Sequence, residues 1–260
     1  MIFFYSGNGN SEAVARRLGT LQQEHVCRLS DALSAQWTEE RATFVFPVYA
    51  WGIPHAVENL LQGASRLMEH LQGKHITLVL TCGDDIGMAD RLYRKLFHRF
   101  GLTIHAVCSV QMPNTYVGLP GFDTDSPALT KAKLRNAARQ CRTIARQARQ
   151  PVDGQTQVLR GALPRTKTYV LRPLFRLLLM GRRLFRATDS CTRCAKCAAQ
   201  CPERNIRLST DHEKPQWQGV CSTCLRCYHH CPTHSIRYGT GSDKNGQYRF
   251  ADYADSFAED

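Results

Sequence analysis

No apolar run in the chain approaches the roughly 20 residues of a membrane-crossing helix, so no transmembrane segment is expected. The first residues, MIFFYSG, lack the basic n-region of a secretory signal, and a cytoplasmic chain is expected. Lysine is absent before Lys74. The Gly-rich stretch Ser6–Ser11 therefore has no cation to extend to the outer phosphates of ATP or GTP, as a Walker A loop must. An acidic excess is missing too. The formal net charge is +12, densest over residues 151–190, which carry eight basic and two acidic residues. A field of that sign favours an acidic protein, an anionic substrate, nucleic acid or a lipid surface.

Cysteine is what the chain has in excess. Of 12 cysteines, eight fall between Cys191 and Cys231. In a cytosolic chain such density points to metal rather than disulfides. The segment is duplicated. Cys191, Cys194, Cys197, Cys201, Pro202, Ile206 and Arg207 recur 30 residues on as Cys221, Cys224, Cys227, Cys231, Pro232, Ile236 and Arg237. Each unit reads C-x2-C-x2-C-x3-C-P. Three thiolates in one tight loop hold three corners of a cubane, and the cysteine before proline ligates the other cluster. This assigns Cys191, Cys194, Cys197 and Cys231 to one [4Fe–4S] cluster. It assigns Cys221, Cys224, Cys227 and Cys201 to a second, with Ile206 and Ile236 limiting water around both. Zinc wants two C-x2-C pairs per ion, which two triplets each followed by C-P fit poorly. Residues 188–240 resemble bacterial two-cluster ferredoxins, a small α+β domain.

The first 150 residues alternate strand-like and helix-like patterns. Strands are expected near residues 1–5, 25–29, 42–48, 75–82 and 102–110, and helices near 11–21, 54–71, 89–100 and 125–149. Five strands alternating with helices imply an α/β fold, a parallel sheet covered on both faces. Right-handed crossovers leave doubly wound orders as the main candidates. Residues 151–187 read as a linker, with a basic amphipathic helix opening at Pro173. Arg172, Arg176, Arg182, Arg183 and Arg186 share one side of it, while Leu174, Leu177, Leu178 and Phe185 lie largely elsewhere. Either the apolar side packs on the protein with the arginines in water, or the basic side docks a partner or anionic lipid. Residues 241–260 are an acidic tail, expected to be mobile from Asp252 onward.

The N-terminal loop admits further readings. A dinucleotide fingerprint needs a third glycine where Glu12 stands, although Asp31 is available as the ribose acid. A flavin mononucleotide (FMN) loop needs no cation. Ser6, Asn8, Asn10 and Ser11 offer side-chain donors, and Gly7, Gly9 and the first turn of the following helix offer backbone amides. This stretch resembles the phosphate loop of flavodoxins, with Ser6 and Asn8 standing where that family often has threonine. The resemblance implies a sheet of order 2-1-3-4-5 with the ring near the carboxyl ends of the third and fourth strands. The first of those ends supplies Pro47, Val48, Tyr49, Ala50, Trp51 and Gly52, with two aromatics able to stack on a tricyclic ring. The second supplies Thr81, Cys82, Gly83, Asp84, Asp85 and Gly87. His55 and Asp84 or Asp85 are candidates to tune the reduced ring. Met112–Gly118 is either a closing loop over the ring edge or a plain connection. Cys27, Cys108 and Cys141 are expected to be buried, inert thiols.

Taken together, residues 1–150 and 188–240 resemble the flavodoxin-domain ferredoxins of anaerobic bacteria and archaea, with 151–187 and 241–260 outside the resemblance. The resemblance covers about 200 of the 260 residues and implies FMN, two [4Fe–4S] clusters and electron transfer. Both family halves are commonly acidic, whereas this chain is basic, so a redox partner with an acidic docking face is expected. The alternative is an FMN-dependent reductase of a small anionic substrate, fed by its own clusters. A nucleic-acid partner is not expected.

Overall fold

The structure is a computed structural model describing residues 1–32, 38–149, 153–208 and 214–258. Gln150 to Val152, where the expected linker begins, lie outside the described residues, as do Glu259 and Asp260 of the tail. Strands β1 (Ile2–Phe4), β2 (Val26–Arg28), β3 (Arg41–Pro47), β4 (His75–Cys82) and β5 (Ile104–Gln111) are all parallel, in the order β2-β1-β3-β4-β5. Helices cover both faces, which is why β3 and β4 read as continuous apolar runs. Alternate side chains feed opposite cores: Phe44, Phe46, Leu78 and Leu80 enter one, Val45 and Val79 the other. Helices α2 (His55–Gln62), α3 (Ser65–His70) and α4 (Ala89–His98) cover the first face. Helices α1 (Asn10–Gln22) and α5 (Pro127–Arg149) cover the second. Burying each of these phenylalanines contributes about 1.5–3 kcal/mol. The single helix expected over 54–71 is two, parted at Gly63 and Ala64, where a residue of poor helix propensity closes α2.

The sheet has six strands rather than five. Strand β6 (Thr156–Gln157) joins the edge beside β5, pairing Val107 with Thr156. Two residues are too few to leave a period-2 signature, and they lie in the stretch read as a linker. That stretch is fixed to the sheet. Arg160 forks onto the buried Asp90 with two contacts of 2.7 Å, and Lys167 Nζ lies 2.6 Å from Asp85. The chain then runs through α6 (Pro164–Thr166), a π-helical turn (Lys167–Leu171) and α7 (Arg172–Leu179).

This helical segment is inside out. Its polar and mixed positions face the protein. Thr168 donates to Trp51 O at 3.0 Å, and Arg172 donates to Ile53 O at 3.1 Å. Val170, Leu174, Leu177 and Leu178 are exposed instead. The expected alternative of an apolar side packed inward is overturned, because the inward positions are already taken by hydrogen bonds to the loop after β3.

In the cysteine-rich segment the repeat extends to the backbone. Helix α8 (Lys196–Ala199) corresponds to α9 (Arg226–His229), and β8 (Ile206–Arg207) to β10 (Ile236–Tyr238). Positive φ angles recur at the same offset: Arg193 57° and Thr223 59°, Ala195 60° and Leu225 58°, Arg204 49° and His234 48°. Each is a non-glycine residue held left-handed, a conformation that costs energy unless its surroundings demand it. Strand β7 (Phe185–Ala187) pairs antiparallel with β10, and β9 (Gln216–Trp217) with β8. The tail is not mobile over its described residues. Phe257 of α10 (Ala254–Ala258) is buried against α1 and α5, with Arg17 5.3 Å from its ring.

Candidate functional site: a cavity walled by a cysteine loop

A cavity of about 370 Å³ lies at the carboxyl ends of β1, β3 and β4, where the strand order reverses. That is where open α/β sheets hold ligands. Its lining includes Ser6, Gly7, Asn8, Asn10 and Ser11 from the first loop, and Pro47, Val48, Tyr49, Ala50 and Trp51 from the second. Thr81, Cys82, Gly83, Asp84 and Asp85 come from the third. Gly9, Gly52 and Gly87 of the expected set are not in the lining. Gly9 caps α1 at φ 103°, and Gly52 and Gly87 leave room for the side chains of Arg172 and Thr168.

The first loop closes on itself when Gly9 N–H donates to Ser6 Oγ at 3.1 Å. Ser11 Oγ lies 2.8 Å from Thr81 Oγ1, fastening the loop to β4. The amides of the first turn of α1 have no partner within the helix, so this end suits an anion. The asparagines are differently used than expected. Asn8 Nδ2 donates to Tyr248 O at 3.1 Å, and Asn10 Nδ2 donates to Pro113 O at 3.0 Å. Tyr248 Oη in turn donates to Asn10 Oδ1 at 2.8 Å. The returning C-terminal segment takes up the Asn8 donor and the loop after β5 the Asn10 donor, leaving backbone N–H groups as the loop's main donors.

The second loop is strained. Tyr49 and Gly52 exchange two backbone hydrogen bonds of 3.1 Å around Ala50 (φ 45°) and Trp51 (φ 54°). Two left-handed central residues define a type I′ turn, which ordinarily takes Asn or Gly. Each costs of order 1–3 kcal/mol. The turn is held from outside by Thr168 on Trp51 O, by Arg172 against Gly52, and by Lys167 Nζ 5.7 Å from the Trp51 ring centre. In the third loop the carboxylates are already partnered. Asp85 pairs with Lys167, while Asp84 accepts from Asn114 Nδ2 at 3.1 Å and lies 3.6 Å from Lys133 Nζ. Burial, Asp85 and Asp84 push the Cys82 thiol up to about 12.

Sequence reasoning missed part of the wall. Phe122, Phe175 and Met180 line the cavity, and Phe175 meets Trp51 edge-on at 6.1 Å and Tyr116 at 5.3 Å. Phe175 lies in the segment read as a linker, and nothing local marks it as cavity-facing. Met112–Tyr116 lines the cavity as well. The Tyr116 hydroxyl is buried with no hydrogen-bond partner among the described residues. His55 lies elsewhere: it lines a separate cavity with Glu203 and Arg204, and its Nδ1 is 3.1 Å from Asn59. Burial pushes Cys108 up to about 11 and Cys141 up to about 12, keeping both as thiols. Cys27 is only partly buried.

The eight clustered cysteines fall into two groups. Cys191, Cys194, Cys197 and Cys231 surround one small cavity together with Ile236. Burial, then repulsion by Cys191, Cys194 and Cys231, pushes Cys197 up to about 11. Around Cys227, burial and the nearby Cys221 and Cys201 push the thiol well above its usual range. Cys221 rises to about 12 for the same reasons, with Glu203 adding to them. Crowded, mutually repelling thiols become thiolates together most readily against strong positive charge, which iron would supply; Cys231, held by the Ser235 amide and by hydroxyls, is already shifted down. Among the described residues no three His, Cys, Asp or Glu side chains converge tightly enough to hold a single metal ion. Cys191, Cys194, Cys197 and Cys231 instead ring a cavity, as ligands to different irons of one cube must. Backbone N–H groups aim at the sulfurs symmetrically: Asn205 to Cys201 Sγ and Ser235 to Cys231 Sγ, each 3.3 Å. Ile206 and Ile236 share a core with the cysteines, together with the Phe185–Trp217 stack.

Residues 183–232 match the family of 4Fe-4S dicluster domains. The matched part is an iron–sulfur domain, and iron–sulfur electron transfer is its chemistry. No curated protein matches the chain. Among solved structures, the Trp repressor binding protein from Bacillus subtilis is similar at 13% identity and a TM-score of 0.41, covering 59% of this chain and 100% of that one. That likeness is too weak to bear on fold or function.

The dicluster domain also forms a wall of the sheet cavity. Thr223 and Leu225, either side of Cys224, are in the lining. A Cβ on Gly7 would stand 2.4 Å from Cys224 Cβ and 2.1 Å from Tyr49 Oη, so only glycine lets the two loops meet. The junction is pinned on all sides. Arg226 donates to Gly7 O at 3.1 Å, and Ala56 N–H donates to Ser222 Oγ at 2.8 Å. Glu203 accepts from Ser222 N–H at 3.2 Å and from Tyr5 Oη at 3.3 Å. His229 Nε2 donates to Thr115 O at 2.8 Å while its Nδ1 accepts from Tyr248 N–H at 3.1 Å. Burial pushes His229 down to about 4, so it makes both bonds as a neutral ring.

Proposed function

We propose that the chain is an electron-transfer protein. Its sheet cavity holds FMN, and its dicluster domain holds two [4Fe–4S] clusters on the cysteine sets Cys191, Cys194, Cys197, Cys231 and Cys221, Cys224, Cys227, Cys201. The observation that carries this reading is the contact of Gly7 with Cys224, which joins the two sites through a shared wall. FMN supplies one- or two-electron exchange, and each cluster supplies exchange of single electrons.

The residues divide the work. The loop Ser6–Ser11 and the first turn of α1 offer amide donors to a phosphate. Trp51, Tyr116 and Phe175 offer aromatic surface to a ring. Lys167 and Lys133 hold Asp85 and Asp84, which limits their repulsion of an anionic cofactor. Thr168, Arg172 and Lys167 brace the strained Ala50–Trp51 turn, which limits the ordering that binding must supply. The alternative, reduction of a small anionic substrate, calls for basic side chains in the cavity. The lining includes Asp84, Asp85 and Asp123 and, among the described residues, no Lys, Arg or His. Nothing there favours that alternative.

Cys194, Arg193 and Lys196 of the first unit are exposed. They give a partner with an acidic face a place to approach. The test is FMN titration of flavin-depleted, cluster-loaded protein, followed by flavin fluorescence. Saturable quenching at one FMN per chain is expected. Unquenched flavin at every concentration would contradict the cavity assignment.

A further inference from the structure

The inside-out helix calls for an occupant. Val170, Leu174, Leu177 and Leu178 follow i, i+4, i+7, i+8 spacing, one face of a helix. All four are exposed, Leu177 by 78% and Leu178 by 64%, and Tyr169, Leu171 and Leu163 extend the patch. Contiguous apolar surface of this kind marks an interaction site. The segment that carries it is basic: between Asp153 and Asp189 there are eight basic residues and no acidic one, of which Arg160, Lys167 and Arg186 pair with Asp90, Asp85 and Asp243 elsewhere in the chain. Arg165, Arg176 and Arg183 are exposed and have no ion-pair partner among the described residues.

We infer that the face of Leu163–Leu178 lies on an anionic lipid surface. Leucines on one side with arginines beside and beyond them is the pattern of a helix seated in the headgroup region, long side chains reaching the lipid phosphates. Residues 164–179 span about 24 Å at 1.5 Å per residue, lying flat rather than crossing. No described helix is long and apolar enough to cross a membrane. A second copy of the chain is the poorer occupant, because a symmetric contact through this face would set the arginines of the two copies against each other. The inner side of the same helix carries Phe175 into the cavity, and Met180 follows just past its end, so the membrane-facing element is also a wall of the proposed redox site.

The test uses the full chain, purified anaerobically with its cofactors, sedimented with vesicles of phosphatidylcholine alone or mixed with an equal part of phosphatidylglycerol. Binding is expected to the mixed vesicles at low salt, weakening at least about tenfold as salt rises past the range where surface charge is screened. Leu174→Glu/Leu177→Glu/Leu178→Glu should abolish it. Arg176→Glu/Arg183→Glu should weaken it at least about tenfold, since each basic residue contributes several-fold. Iron and flavin content unchanged in both variants shows that the fold is intact. Three results would overturn the inference: no binding to mixed vesicles, equal binding by the leucine variant, or a dimer in sedimentation velocity that the leucine variant dissolves. A soluble acidic protein that protects Leu177 and Leu178 from exchange while vesicles do not would overturn it equally.

Discussion

The two cysteine units share a motif, a helix and three left-handed residues, yet they sit in opposite surroundings. In the first, Cys194 is exposed and flanked by the exposed Arg193 and Lys196. In the second, Thr223 and Leu225 are buried around Cys224, which abuts the loop after β1. The local sequence therefore specifies how a cluster is held, and the neighbours specify what it can reach. One unit is open to solvent. The other is placed to meet the cavity, through contacts that only glycine at position 7 permits.

The largest separation between the units should come from removing one ligand from each. Cys224→Ser should cost about four irons per chain and also the bound flavin, because its loop is part of the cavity wall. Cys194→Ser should cost about four irons and leave flavin at wild-type stoichiometry. Equal flavin loss in both variants would erase the comparison. Next in size is Gly7→Ala. The added methyl overlaps Cys224 and Tyr49, so stability should drop by about 1–3 kcal/mol in thermal unfolding, with FMN affinity reduced more than tenfold. A smaller effect is expected at the outward unit. Arg193→Glu/Lys196→Glu should slow electron exchange with an acidic redox protein several-fold and flatten its salt dependence, with cofactor content unchanged. The smallest change concerns a thiol outside both units. Cys82, pushed up to about 12, should resist iodoacetamide through pH 9 in the folded chain and react only on unfolding, as mass spectrometry of the alkylated peptide would show.

Much of this was legible in the sequence. Ligand spacing is local, so the cysteine code and its duplication could be read without a structure. The parallel α/β sheet followed because long β-branched and aromatic runs alternate with amphipathic helices, whereas its strand order came only from the resemblance of the first loop to flavodoxins. Three cavity loops were found by their place after strands. What escaped was non-local. Nothing near Thr156 marks a strand two residues long, and the pairing with β5 exists only because Gly154 N–H reaches His105 O at 2.9 Å and Val107 N–H reaches Gln155 O at 2.9 Å. The helix at Pro164–Leu179 misled because amphipathicity gives the apolar side but not where the rest of the protein stands. Here Thr168, Arg172 and Phe175 face inward. The tail misled through its charge: its aromatic residues Tyr248, Phe250 and Phe257, not its carboxylates, decide that it packs.

The central claim is that one chain couples a flavin cavity to two clusters through the Gly7–Cys224 contact. Its most direct test is anaerobic purification followed by assay of flavin, iron and acid-labile sulfide on the same sample. One FMN with about eight irons and eight sulfides per chain is the predicted result. About four irons per chain, an adenine dinucleotide in place of FMN, or full iron with no flavin under every loading condition would contradict it.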